Sequence, residues 1–261
     1  MAAENSYDAY KPEKIAALVD GVGVTKAHLP LRQMFVLAIL AGAFIGFGAA
    51  SYTMVMTGLD PNFGPSRLLG GLVFSLGLIL VIVGGAELFT GNALMVMAVA
   101  DRKITVRLLL RSWLIVYAGN LLGAAGLAIA FGLTGLLDGS MGVTAAKISQ
   151  AKVLLSPLEA FVRGALCNAL VCLAIWLSVA ARTVTGKILA IVWPISTFVL
   201  LGLEHSIANM YFFPQGWLAN SGVEFIYAIQ NLIWVTLGNI VGGAGGVALA
   251  YRFAFHGQSQ L

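Results

Sequence analysis

Two eight-residue stretches place an acid and an amide inside otherwise apolar sequence. One is Gly85-Ala86-Glu87-Leu88-Phe89-Thr90-Gly91-Asn92, and the other is Gly202-Leu203-Glu204-His205-Ser206-Ile207-Ala208-Asn209. Both read G-x-E-x-x-x-x-N. Ionisable side chains are expensive in apolar surroundings and commonly mark an ion, proton or substrate path. Two jobs suit such carboxylates: capping the free N–H groups of an adjoining half-helix, which is the preferred reading, or direct contact with a substrate. Glu87, Asn92, Glu204 and Asn209 are therefore expected to form structural polar breaks in two helices. His205, taken alone, reads as a core histidine satisfied by a neighbouring hydroxyl.

Other chemistry is sparse. There is no H-E-x-x-H, no serine nucleophile motif, no cysteine–histidine arrangement, and there are too few His and Asp residues for a metal site. Neither enzymatic activity nor a cofactor is expected. Cys167 and Cys172 lie five apart in one apolar segment, which suits small buried side chains rather than a disulfide or a metal site.

The two motifs belong to an internal repeat. Their offset is 117 residues, while Gly119-Asn120-Leu121-Leu122-Gly123-Ala124 and Gly238-Asn239-Ile240-Val241-Gly242-Gly243 match at 119. A weaker match, Phe35-Val36 with Phe161-Val162, has an offset of 126. Asn120 and Asn239 are expected to hydrogen-bond between packed helices.

Long apolar blocks carry these motifs. Of 261 residues, 59% are hydrophobic and 10% charged, against about 25% charged in a soluble domain. The blocks are Met34–Thr57, Leu68–Val99, Leu108–Leu137, Leu158–Ala181, Ile188–Phe213 and Phe225–Phe255. Six spans put both termini on one side of a bilayer. Three spans per half, an odd number, make the repeat inverted. The expected division is an N-terminal amphipathic helix region (1–33), a first three-helix repeat (34–137), a periplasmic loop (138–157), a second three-helix repeat (158–255) and a tail (256–261). The helix starts at Pro12 and ends at Gly21 or Gly23, lying on the membrane surface. Lysines and arginines divide eleven to four between the two sides, which places both termini in the cytoplasm. The net charge of +4 sits in connecting segments, so topology explains it better than nucleic-acid binding does. No apolar signal segment precedes the first span, which is expected to act as the insertion signal.

Glu87-Leu88-Phe89-Thr90-Gly91, Cys167-Asn168-Ala169-Leu170-Val171-Cys172-Leu173-Ala174, Gly202-Leu203-Glu204-His205-Ser206-Ile207-Ala208-Asn209-Met210 and Val235-Thr236-Leu237-Gly238-Asn239 closely resemble the formate/nitrite transporter family. The resemblance runs from Pro12 through the sixth span. It implies an all-α, aquaporin-like protomer with broken second and fifth helices, assembled as a homopentamer in the inner (plasma) membrane. The implied function is a channel for small monovalent weak-acid anions, formate first, with nitrite, hydrosulfide, lactate or acetate as alternatives. A neutral-solute channel is a distant rival, since paired Asn-Pro-Ala motifs are absent.

By position, His205 matches the family's central pore histidine and Thr90 the threonine facing it. Phe74 and Phe198 match one constriction, and Leu78, Leu88, Phe89 and Val171 the other. Lys152 and Asn168 resemble polar residues of the periplasmic vestibule and pore. Arg163 leans towards nitrite-channel relatives. The resemblance implies that the vestibule collects the anion and that His205 neutralises or pairs it, since imidazole titrates near neutral pH.

Overall fold

The computed structural model describes residues 9–255 of the chain. The expected tail (256–261) and the first eight residues of the 1–33 region lie outside the described residues. What is described is helical throughout, with the chain order α1 (Pro12–Ala27), α2 (Leu31–Met56), α3 (Gly64–Phe74), α4 (Leu76–Gly84), α5 (Val96–Ala100), α6 (Val106–Gly132), α7 (Ser140–Val153), α8 (Pro157–Ala180), α9 (Val184–Leu200), α10 (Ser206–Leu218), α11 (Phe225–Ile240) and α12 (Ala250–Phe255). Among the described residues, five apolar helical stretches are long enough to cross a membrane: Leu31–Met56, Gly64–Gly84, Val106–Gly132, Pro157–Ala180 and Phe225–Phe255.

Local chemistry sets the helix ends. Ser156 and Glu159 form a reciprocal capping box in front of α8, with Pro157 in the first turn. Thr105 caps α6 and Thr183 caps α9 through their side chains. The second and fifth apolar blocks both break. Gly85 ends α4 with φ +80°, and Gly202 follows α9 with φ +68°, a backbone region that favours glycine. After Gly85 the chain resumes as a 3-10 turn, Gly91–Met95, leading into α5. After Gly202 it resumes as α10. The sixth block keeps its length but widens into π-helix at Val241–Leu249.

Glycines let the spans pack backbone to backbone. A Cβ on Gly123 would collide with Ile39 O, and one on Gly42 with Asn120 O, which fixes α2 against α6. Gly238 and Gly242 sit likewise on Phe161 O and Ala165 O, fixing α11 against α8. Small residues at such contacts are the usual means of helix association in lipid. The outer surface is correspondingly apolar: Leu114, Leu133, Leu166 and Trp193 are all more than half exposed.

Two segments differ from expectation. α1 does not stop at Gly21 or Gly23 but runs on to Ala27, because Gly23 packs tightly against Met95 and Ala98. Residues 138–157, expected as a loop, contain the 14-residue helix α7. Its buried side is Met141, Gly142, Ala145 and Ser149, where one large apolar residue among small ones does not signal a helix by apolar periodicity.

Candidate functional site

One asparagine pins each break. Asn120 Oδ1 accepts from Phe89 N at 2.9 Å, and its Nδ2 donates to Ala38 O at 2.8 Å and Glu87 O at 2.9 Å. Asn239 repeats this arrangement. Its Oδ1 accepts from Ser206 N at 2.9 Å, and its Nδ2 donates to Gly164 O at 2.8 Å and Glu204 O at 3.0 Å. Backbone groups freed by a broken helix need partners in an environment without water, and one amide per break satisfies two of them and ties them to a carbonyl of a neighbouring helix, α2 or α8. These asparagines hold the breaks themselves, beyond the expected helix-to-helix bonding.

The carboxylates are not helix caps. Among the described bonds, neither accepts from a backbone N–H. Glu87 takes Lys26 Nζ at 3.0 Å and Asn92 Nδ2 at 2.9 Å. Glu204 takes Lys152 Nζ at 3.0 Å and Asn209 Nδ2 at 2.7 Å. The physical reason is charge: a buried carboxylate needs a full countercharge as well as hydrogen bonds. Lys152 is not a solvated loop cation, since its side chain is 12% exposed. Its ammonium also lies 5.1 Å from the centre of the Phe212 ring.

His205 sits where α10 begins. Its Nδ1 accepts from Ala208 N at 3.1 Å and caps that helix, while Nε2 meets Thr90 Oγ1 at 2.9 Å. The two breaks therefore touch through this pair. Phe198 stacks on the imidazole with centroids 6.0 Å apart, and Phe74 meets Phe198 edge-on at 5.5 Å. Leu78, Leu88 and Val171 are buried. Asn168 Nδ2 donates to Thr90 O at 3.2 Å and Asn239 O at 2.6 Å, and its Oδ1 is buried without a partner. The Phe89 ring packs against Tyr117 at 4.9 Å and Trp113 at 5.9 Å.

A cavity of about 660 Å³ reaches His205 from one side. Its wall includes Phe74, Lys152, Arg163, Phe198, Glu204 and His205. Thr90, Leu78, Leu88, Phe89, Val171 and Asn168 do not line it. The site is thus an open mouth ending on His205, and the buried Leu78, Leu88 and Val171 lie outside it.

The formate/nitrite transporter family matches residues 13–253. The chain belongs to that family. It is 38% identical to the formate channel FocA of Escherichia coli (strain K12), with 96% of each chain covered. A solved pentameric formate channel with formate bound superposes with a TM-score of 0.79 at 40% identity, covering 86% of this chain and 97% of that one. An FNT family ion channel gives a TM-score of 0.82 at 32% identity, covering 93% and 98%. As a member of this transporter family with several membrane-length apolar helices, the protein is a multi-pass membrane protein.

Some parts of this transporter's site escaped the sequence reading. Lys26 is the first-half partner of Lys152, displaced by the same 126 residues as the Phe35-Val36 match. That offset was the available signal. Arg67, Tyr52 and Phe212 also line the cavity. No motif points to them, because α3, α2 and α10 bring them together only in the fold.

Proposed function

We propose that the chain forms a formate channel of the inner (plasma) membrane, working as a homopentamer. Each protomer crosses six times in two inverted three-helix repeats, with both termini cytoplasmic. Similarity to a formate channel and to a solved pentameric formate channel supports this reading. So does the excess of lysine and arginine on the side of the termini. The channel carries its substrate without catalytic conversion.

The observation that carries the mechanism is the bond from His205, which lies in the cavity wall, to Thr90 buried behind it. Nδ1 of His205 is already an acceptor, so the neutral ring carries its proton on Nε2 and donates it to Thr90 Oγ1. The Thr90 hydroxyl then keeps its own proton to give to a substrate oxygen. A formate ion among the buried apolar residues beyond His205 would cost many kcal/mol without pairing or neutralisation. Hydrogen bonds from this pair offset part of that cost. The transfer balances as a relay: Thr90 gives its hydroxyl proton to formate and takes the Nε2 proton of His205, and a proton from water in the cavity replaces that one, so the ring is neutral before and after and formic acid crosses.

The test is flux into liposomes over a pH series, with formate and chloride compared and His205→Ala beside the native protein. Formate passage, chloride exclusion and a pH profile flattened in the variant are expected. Equal chloride passage, or an unaltered profile in the variant, overturns the mechanism.

A further inference from the structure

The two breaks are near copies, yet their mouths carry different charges. Gly202 lies between two guanidinium groups. Arg163 Nη1 donates to Gly202 O at 3.4 Å, and Arg67 Nη1 lies 3.4 Å from where a Gly202 Cβ would stand. Arg67 also donates to Leu200 O at 3.5 Å and, through Nε, to Pro61 O. Each guanidinium has five donors. The described bonds of Arg163 use one and those of Arg67 use two. Both side chains are half-buried in the wall of the 660 Å³ cavity, beside Lys147 and Lys152. Glu204 is the carboxylate in that wall, and Lys152 neutralises it. Exposed Glu159, one turn before Arg163, is held by Ser156 in the capping box.

The matching first-half site lacks this arrangement. Gly85, the counterpart of Gly202, has no neighbour within 4 Å of its would-be Cβ. At the repeat offset of 126 residues, Leu37 stands opposite Arg163. The two guanidinium groups at Gly202 come one from each half, Arg67 from α3 and Arg163 from α8, and join the shared lysine–glutamate pair there.

We infer that Arg67 and Arg163 form an anion-docking station at the Gly202 mouth, outside the His205 gate. It takes a small carboxylate or similar oxoanion between the two guanidinium groups and makes capture from this side tighter than from the other. This rests on the proposed formate channel activity. Planar guanidinium groups suit carboxylates because paired N–H donors match the two oxygens. A half-exposed station binds and releases quickly, and salt screens it.

The experiment measures initial formate flux against formate concentration, at low and high ionic strength, in liposomes with the protein oriented one way. The native protein is compared with Arg67→Gln/Arg163→Gln and with Arg67→Lys/Arg163→Lys. Size-exclusion profiles confirm that each variant is folded. From the Gly202 side, the glutamine pair is expected to raise the half-saturating concentration roughly tenfold. Maximal rate should stay within about twofold, and salt dependence should weaken. The lysine pair should recover part of the affinity, and flux from the opposite side should keep its native half-saturation. An unchanged half-saturation in the glutamine pair, with normal formate flux, overturns the docking station and leaves the channel reading intact. Equal weakening from both sides also overturns it, because the arginines would then act through the shared path. Absence of formate flux in the native protein instead overturns the channel reading.

Discussion

Asn120 and Asn239 each hold two backbone groups of a break and tie them to a carbonyl of a neighbouring helix, Ala38 O in α2 or Gly164 O in α8. Replacing either by Ala would strand one N–H and one carbonyl of the break in a buried site. Each stranded group costs about 1–3 kcal/mol. Asn239→Ala should therefore lower the thermal midpoint by roughly 5–15 °C, since each kcal/mol shifts a protein of this size by about 2–4 °C. Thermal unfolding in detergent checks this. Thr90 calls for a different readout, because its hydroxyl meets His205 and its carbonyl meets Asn168. Thr90→Val keeps the shape and loses the hydroxyl. It should cut formate flux far more than Thr90→Ser does, with little change in stability.

The repeat shows which residues were free to specialise. At an offset of 117, His205 corresponds to Leu88, and Thr90 to Ile207. The residues that build the breaks are kept in both halves, while the polar pair at the gate is made once from each half. The E-x-x-x-x-N spacing made the breaks legible in sequence. It did not tell cap from ion pair, because the lysines that decide the matter arrive from α1 and α7.

At the scale of helices, backbone contact through glycine is the main constraint. Gly123→Val would drive a branched side chain into Ile39 O, and Gly242→Val one into Ala165 O. Overpacking typically costs 1–3 kcal/mol and more against rigid backbone. Both variants should give a low yield of folded oligomer by size exclusion, whereas Gly126→Ala, with open space around it, should not. Helix α1 is held differently, by Lys103 on Asp20 and by Tyr10 N donating to Ala180 O at 3.0 Å. The hydrogen bond to Asp20 raises the Lys103 pKa above its ordinary value. A raised folded-state pKa gives stability that is fully present below the ordinary lysine value. That stability is lost as pH rises through the folded value. Lys103 is about half exposed, so the effect is modest. Hydrogen exchange in α1 should quicken above a pH of about 10.5, and Lys103→Gln should quicken it already at neutral pH.

For the molecule as a whole, the central feature is a pair of buried ion pairs, Lys26–Glu87 and Lys152–Glu204, at matching places in the two halves. Breaking a buried pair by removing one partner costs about 3–5 kcal/mol. Lys26 is a quarter exposed, so Lys26→Gln should fall at the lower end, and Lys152→Gln nearer the upper. The Lys26→Gln/Glu87→Gln double variant should lose less than the sum of its single changes, because the residues are in contact. Denaturation of the native protein, Lys26→Gln, Glu87→Gln and the double variant measures this coupling directly. The halves also meet through residues that are each other's counterparts. Tyr117 bonds Thr236 at 2.9 Å, and these two positions differ by the repeat offset of 119. The Thr90–His205 contact joins the two breaks as well.

The apolar blocks, the repeat, the breaks and the family motifs were all written in local sequence, because span length, glycine placement and a buried acid each leave a short-range pattern. α7 was not, because Met141 is the one large apolar residue of its buried face and the rest is glycine, alanine and serine, which carry no apolar period. Nor were the cavity and its arginines, since Arg67 and Arg163 lie far apart in the chain and converge only where α3 and α8 pass Gly202. Local sequence sets where a helix can form and where it must stop. The charge that meets a buried carboxylate, and the side chains that share a cavity, follow from how the helices pack, and packing depends on contacts a hundred residues apart.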